Sequence, residues 1–399
     1  MSELSGLRIL ISGASVAGPA AAYWLNRYGC AVTVVERAPS IRPGGQAIDV
    51  RGPALDVAAR MGVLERLRAK AVGMRGMSVV DADGAELYRS TERTVSGGDL
   101  SSPDLEILRD DLALALVEAG GAEIEYLFDD SIAALDQDAD EVRVTFDSGL
   151  RRPFDLVVGA DGLHSNVRRL SFGPTERFLR DLGTCTAVCT VPNFLGLDHW
   201  QVMHQLPGGG LGGAMVMSAR DNTEARVYLM FDPETPLSYD HRDVPAQKEL
   251  VARALAGGGW HLPRLLELMR EAPDFHFDAA AQIHLDSWSR GRVVLLGDAA
   301  YCGSPLSGQG TTMAMVGAYV LAGELKAAAG DHTAAFAAYE DDLRDYVTAN
   351  QEMAVWNMAA RRAQIADEAS GSAEAADTRA AADIESFAKI VSSYQLRPY

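Results

Sequence analysis

The residues of this chain best placed to do chemistry are glycines and carboxylates at the ends of apolar runs. Gly13-Ala14-Ser15-Val16-Ala17-Gly18 is a G-x-S-x-x-G variant of the dinucleotide fingerprint. In such a turn Gly13 allows the tight bend and Gly18 lets the following helix approach the sheet. Ser15 stands where a third glycine would admit a pyrophosphate; it is small, and its N–H can still donate at the helix N-terminus. Glu36 lies 23 positions after Gly13, where a carboxylate can accept from adenosine ribose hydroxyls. A carboxylate there repels a 2′-phosphate, so this first signal reads FAD or NAD rather than NADP, with Arg37 leaving a narrow opening.

Two later segments repeat the theme. Asp155-Leu156-Val157-Val158-Gly159-Ala160-Asp161-Gly162 is an apolar strand pattern closed by a carboxylate and a glycine, followed by Leu163-His164-Ser165-Asn166-Val167-Arg168. Arg292 to Leu296 is a third such run, ending in Gly297-Asp298-Ala299-Ala300, and downstream comes Pro305-Leu306-Ser307-Gly308-Gln309-Gly310. That loop opens an apolar helix starting near Thr311. A glycine-flanked loop lets backbone N–H groups approach a planar ring, and the positive end of the helix favours negative charge on it. Metal chemistry finds no support: Cys185 and Cys189 lack a second ligand pair.

These groups need elements to hold them. Leu7–Ser12, Val16–Tyr28 and Ala31–Val35 read as strand, helix and strand of a βαβ unit, the strands apolar enough to be buried on both faces. Between the second and third carboxylate motifs, residues 185–191, 200–205, 213–218 and 225–231 read as short strands between Pro, Gly, Asn and Asp clusters, so a β-sheet domain is inserted there. Phe336, Tyr339, Leu343, Tyr346, Val347 and Met353 recur at threes and fours, predicting a helix that packs across both parts. Residues Ala366–Asp383, rich in Ala, Ser, Asp and Glu, read either as a flexible connection or as an exposed helix. The predicted fold class is α/β: a discontinuous Rossmann-like domain with an inserted β-sheet domain and C-terminal helices.

At 399 residues, 48% hydrophobic and 23% charged, the composition is that of a globular enzyme of two or three domains. A formal charge of −19 argues against nucleic-acid or anionic-membrane partners, which need basic patches. No leader and no apolar run of spanning length is visible, so the expected location is the cytoplasm. Cys30, Cys185, Cys189 and Cys302 are too few and scattered for a disulfide framework and are expected to be reduced and buried.

In this order, G-x-S-x-x-G with Glu, then D-G-x-x-S-x-V-R, then G-D-A-A with P-x-x-G-Q-G, the motifs resemble the para-hydroxybenzoate-hydroxylase-like (class A) flavoprotein monooxygenases. The stretch Gly297–Leu325 is similar to their tetracycline-modifying and polyketide-hydroxylating branch. It is this resemblance that selects FAD, with NADPH or NADH as co-substrate and O2 as oxidant. It implies hydroxylation of an aromatic or polyketide-like small molecule through a flavin C4a-hydroperoxide. Residue by residue, Gly13, Ser15 and Gly18 would cradle the pyrophosphate and Glu36 the ribose, with Arg37 beside it; Asp298 would take the ribityl chain. Asp161 and Gly162 would support FAD and the NAD(P)H approach, Arg168 would hold that loop, and Gly308, Gln309, Gly310 and Thr311 would line the ring. Arg109, in Leu108-Arg109-Asp110-Asp111-Leu112, matches the family arginine that reaches the cofactor from an adjacent helix; otherwise it is a surface arginine. Ser15 and Tyr301 depart from the glycine and histidine common at those places.

The resemblance also implies a division into a FAD-binding part (1–72, 98–175, 277–330), a β-sheet substrate part (73–97, 176–276) and a helical end (331–399). Pro305, Asp49, Arg51, His204, Met215 and Met217 are the candidate substrate contacts. Asp49 and Arg51 sit either where the family has a mobile flavin-facing segment or in a plain turn salt bridge. His204 is either a base near a phenol or a structural histidine. Met215 and Met217 share a strand face, as core or as an adaptable pocket wall. The rival readings are a flavin dehydrogenase, a halogenase, whose W-x-W-x-I-P signature is absent, and a non-catalytic flavin-binding protein. The expected assembly is a monomer or homodimer.

Overall fold

The computed structural model describes residues 4–206, 212–235, 237–370 and 389–399, with the backbone alone described over 361–370. Ala366–Asp383 therefore lies largely outside the described residues. The first architectural unit is a six-stranded sheet ordered Ser289–Arg290, Val293–Leu295, Leu156–Gly159, Arg8–Ser12, Ala31–Glu36, Glu125–Phe128. All neighbours run parallel except the short edge strand Ser289–Arg290. Ile9, Leu10, Ile11, Val34, Val157, Val158 and Val293 to Leu295 are fully buried, as strands covered on both faces require.

Parallel pairing puts the chemistry in one place. Ser12 is in register with Val35 and with Gly159, and Gly159 with Leu295, so Gly13, Glu36, Asp161 and Gly297-Asp298 all emerge at the same carboxyl edge. That edge is where an open α/β sheet forms its crevice. Gly13 (φ +106°) turns the chain, and a Cβ on it would lie 2.5 Å from the Ala160 carbonyl oxygen. Gly18 is tighter still: a Cβ there would meet the Gly13 carbonyl oxygen at 1.9 Å, so helix Ala17–Arg27 touches the turn backbone to backbone.

The second unit is a seven-stranded sheet ordered His276–Ile283, Leu179–Pro192, Glu224–Phe231, Gly213–Ala219, Gln201–Gln205, Met77–Val80, Glu86–Ser90. Helices Val244–Ala254 and Leu262–Glu271 back it, with Leu262, Leu265 and Met269 buried against Ala214, Val227 and Leu229. The sequence reading put residues from 277 onward with the nucleotide sheet. Strand His276–Ile283 instead pairs along the long strand Leu179–Pro192 and forms an edge of the seven-stranded sheet.

A two-stranded ribbon, Ala47–Val50 against Leu105–Leu108, lies between the units, and helix Arg109–Gly120 follows directly from it. Arg220, from the turn after Gly213–Ala219, bonds Asp110 and Asp111 at the start of that helix and so joins the two units. Helix Gly310–Ala327 is buried over most of its length, and the long helix His332–Ser370 packs Phe336, Tyr339 and Leu343 into the same core. The tail returns over both: the Tyr399 hydroxyl donates to Glu324 at 2.6 Å with its ring against Gly323, Tyr319 donates to the Arg397 carbonyl at 2.7 Å, and Val391 abuts Gly52.

Gly18→Ala tests the closest contact in this frame. The methyl group forces helix and turn apart, and the expected cost is about 3 kcal/mol or outright loss of soluble protein, read as the unfolding midpoint.

Candidate active site

The crevice begins at Ser15, exposed at the head of helix Ala17–Arg27, whose N-terminus has no side-chain cap and no acidic residue in its first turn. Free backbone donors and a helix dipole there suit an anion. Arg109 is no surface arginine. It is 6% exposed, donates to the Ser15 hydroxyl at 3.3 Å and to the Arg42 and Gly44 carbonyls at 3.0 and 3.3 Å, and keeps a buried Nε with no partner among the described residues. Burial, with Arg42 nearby, pulls its pKa down to about 10. Glu36 accepts from the N–H groups of Ala14 at 2.8 Å and Ala38 at 2.9 Å, which fixes it beside the glycine turn; Arg37 is exposed next to it.

Asp161 works first as a local cap. Its carboxylate accepts from the N–H groups of Asn166 and Val167 at 2.8 and 3.0 Å and from the Ser165 hydroxyl, at the start of helix Asn166–Ser171. Gly162 (φ +79°) has open space where a Cβ would be. Arg168, fully buried, donates to the Ala299 carbonyl at 2.9 Å and to the Leu163 carbonyl, so it ties the Asp161 loop to the Asp298 loop. Burial lowers its pKa, against the pull of Asp161.

Asp298 opens the short helix Asp298–Tyr301 and is exposed to the crevice, yet surrounding protein still pushes its carboxyl upward. Pro305, exposed, starts a turn that ends at Gly308 in the left-handed conformation, with no atom of the described residues within 4 Å of a Cβ there. Gln309 is fully buried, and neither atom of its amide has a partner among the described residues. A buried amide left unpaired costs about 1–3 kcal/mol, and a group from outside the chain would find both a donor and an acceptor here. Gly310 and Thr311 begin the next helix, which again carries no side-chain cap and no acid in its first turn. Cys302 is buried and bonded to the Ala281 carbonyl at 3.5 Å; burial raises its thiol well above the usual range, which makes it an inert neutral group.

Sheet register settles what faces this crevice. Met203, Met215, Tyr228, Val188 and His276 form one cross-sheet row, and His204, Ala214, Leu229, Ala187 and Phe277 the adjacent one. Adjacent rows point to opposite faces. The Tyr228 hydroxyl accepts from the Ala47 N–H at 2.8 Å and Arg226 Nε donates to the Gly45 carbonyl at 2.9 Å, so the first row and the Gln201–Met217–Arg226 row face the nucleotide unit. Met215 and Met217 are therefore brought to the crevice side. His204 is not: it lies fully buried on the helix-backed face, its ring 5.7 Å from Trp260 and Nδ1 on the Val80 carbonyl, and the strand alternation that gathers the methionines is what excludes it.

Asp49 and Arg51 do form an ion pair, at 2.9 Å, in the ribbon strand and the residue just past it rather than in a turn. The sequence reading missed Tyr228, Gln201 and Glu106 on this side, and also Asp278, which is bonded to His164 at 3.0 Å and Tyr239 at 2.6 Å. Period-two alternation puts Tyr228 with Arg226 and Met230 on one face of its strand, but only the sheet register shows that this face meets the crevice. Glu106 and Asp278 carry no local signal, since only the tertiary pairing gives them neighbours. His276, in the same row as Tyr228, is held neutral, its pKa pulled down to about 4 by burial and by Arg42.

With this geometry in place, comparison with known proteins is decisive. A family model described as FAD binding domain matches residues 7–354. The chain belongs to the FAD-binding monooxygenase family. A flavin-dependent monooxygenase from Legionella longbeachae is 40% identical over 352 residues, covering 88% of each chain. An uncharacterised protein of Mycobacterium tuberculosis is 57% identical over 343 residues, 86% of this chain and 91% of its own. Among solved structures, tetracycline destructase Tet(55) superposes with a TM-score of 0.86 at 38% identity, covering 100% of both chains. Tet(51) does so with 0.88 at 33%, covering 98% of this chain and 100% of its own. No helix among the described residues is long and apolar enough to cross a membrane, and no group of three metal-ligating side chains occurs among them.

FAD is the cofactor of this family member, and the residues fit it. Open helix N-termini, the Ser15–Arg109 contact, the empty space around Gly308 and the unpaired Gln309 amide are matched by a flavin dinucleotide's phosphates and ring edge. Arg109→Ala is expected to weaken FAD binding at least tenfold, measured by quenching of flavin fluorescence, since a buried charge-assisted contact is worth about 1.5–3 kcal/mol. Gln309→Leu should separate stability from binding: the apoprotein gains about 1 kcal/mol by losing unpaired amide atoms, while FAD affinity falls.

Proposed function

We propose that the protein hydroxylates an aromatic or polyketide-like small molecule, with NADPH or NADH as reductant and O2 as oxidant. The observation that carries this reading is the crevice face of the seven-stranded sheet. Thr186, Tyr228 and Met230 sit in central strands of a sheet covered on both sides, yet each is partly open, while Met203 and Met215 beside them are nearly buried. A wall of thioethers with a phenol suits a flat, largely apolar ligand. The 33–38% identity to tetracycline destructases supports a polycyclic phenol or enol over a single ring.

FAD, when bound, supplies the electron and oxygen transfer; the chain's own residues bind, orient and exclude water. In this reading Gly13, Ser15, Gly18 and Arg109 hold the pyrophosphate, Glu36 the ribose and Asp298 the ribityl chain, and Gly308–Thr311 line the ring. Arg168 acts at a distance by fixing the Asp161 and Asp298 loops together. Among the described residues, those of 1–72, 98–175 and most of 277–330 make up the nucleotide part; those of 73–97 and 176–276, with strand His276–Ile283 added, make up the substrate part.

The test is NADH and NADPH oxidation by the FAD-loaded protein with tetracyclines, hydroxyanthraquinones and simple phenols. The expected result is that one polycyclic class accelerates oxidation and yields a product one oxygen heavier. Oxidation that no ligand accelerates, with peroxide as the only product, would sink the proposal.

A further inference from the structure

The ribbon between the two units contains an arrangement that flavin binding does not require. Asp49 and Glu106 are direct partners across its antiparallel strands. Directly opposed side chains start about 5 Å apart, and like charges in that position destabilise a strand pair. Arg51, two residues along the same strand direction, bonds Asp49 at 2.9 Å and donates to the Ser96 and Gly97 carbonyls at 3.1 Å each. Two carboxyls therefore share one guanidinium. Asp104 adds a further negative charge at the Gly52 N–H, and Arg226 on the facing sheet is committed to Glu224 and the Gly45 carbonyl. Burial, then the neighbouring carboxylate, pushes the Glu106 carboxyl up; burial does the same to Asp49 against the pull of Arg51.

The cluster borders the crevice on two sides. The Arg51 carbonyl accepts from Thr312, in the first turn of the helix that follows Gln309. Across the gap, Gln201 bonds the Val95 N–H at 3.0 Å and the Ser96 hydroxyl, and Ser96 in turn bonds Glu106. The Tyr228 hydroxyl, occupied as an acceptor by the Ala47 N–H, lies within the field of Glu106 and keeps its own proton to donate. Glu106 Oε1 is shielded from solvent with no partner among the described residues, although the residue as a whole is partly open.

We propose that Asp49 and Glu106, both carboxylates above neutrality, take up a single proton between them from an ionisable hydroxyl of a substrate seated against Tyr228. In the productive direction the substrate O–H bond breaks and its proton passes to the Glu106 carboxylate, directly or through the Tyr228 hydroxyl. The electron pair stays on the substrate oxygen and nothing is oxidised. The pair thereby loses one negative charge as the substrate gains one, and Arg51 balances the carboxylate that remains. The oxyanion formed is the electron-rich arene or enol that oxygen insertion needs. This inference rests on the aromatic-substrate reading above and names the group that would activate such a substrate.

The experiment uses the FAD-loaded protein without NAD(P)H, and alizarin, a dihydroxyanthraquinone whose ionisation is visible as a colour change. Bound to wild type, alizarin should ionise about one pH unit below its free value. In Glu106→Gln that shift should vanish while FAD affinity stays within about twofold, because the phosphate and ring contacts are untouched. Asp49→Asn keeps the base but removes the opposing charge, so its profile should move to lower pH. The protein alone supplies a second readout: infrared difference spectra between about pH 5 and about pH 9 should show a protonated carboxyl lost through neutrality in wild type and missing in Glu106→Gln. Because the folded-state pKa is raised, the stability that this proton contributes is present below the unfolded value and fades as pH rises, so Glu106→Gln should gain on wild type at higher pH. An unchanged alizarin profile or an unchanged infrared band in Glu106→Gln overturns the shared proton. Failure of alizarin to perturb the flavin bands of wild type, with the infrared band intact, overturns the aromatic-substrate reading and the exchange step with it.

Discussion

A guanidinium without access to water joins the two carboxylate loops of the crevice. Among the described residues no carboxylate is bonded to Arg168; its partners there are the carbonyls of Leu163 and Ala299 and the Thr175 hydroxyl. A buried cation is tolerable only where several oriented dipoles replace its hydration, so the two loops have to stand where their carbonyls meet that fork. Asp161 and Asp298 take their places from this, since each lies within two residues of a carbonyl that Arg168 holds. The parallel sheet brings the motifs to one edge, and Arg168 sets the distance between them.

The segment from Arg42 to Arg51 is fixed from both sides. Arg109 takes the Arg42 and Gly44 carbonyls from the nucleotide unit, and Asp110 accepts from the Gly44 N–H. Arg226 and Tyr228 hold Gly45 and Ala47 from the seven-stranded sheet. Gly45, at φ +99°, leaves no room for a side chain, because a Cβ would lie 2.7 Å from Arg109 Nε. The two units are thereby linked through a short stretch of backbone.

The nucleotide half was legible because its determinants are local. A glycine turn, the apolar runs beside it and a carboxylate at the strand end lie close together in sequence, and parallel register does the rest. The seven-stranded sheet was legible as strands but not as faces. Met215 and His204 look equally available in sequence, and only the cross-strand rows show that one faces the crevice and the other the helices. Strand His276–Ile283 was misplaced for a similar reason, since an apolar strand does not state which sheet it joins. Glu106 went unnoticed because a glutamate in a short strand is ordinary until its opposite residue is an aspartate.

The rows of the seven-stranded sheet divide its residues by parity into two independent sets. Ala214, Val216, Val227 and Leu229 anchor the helices, while Met203, Met215, Tyr228 and Met230 border the crevice. Substitutions in the second set change the shape of the crevice without opening the helix-backed core, and substitutions in the first have the reverse effect. The shape of the crevice and the packing of the core are thereby set by alternate residues of the same strands.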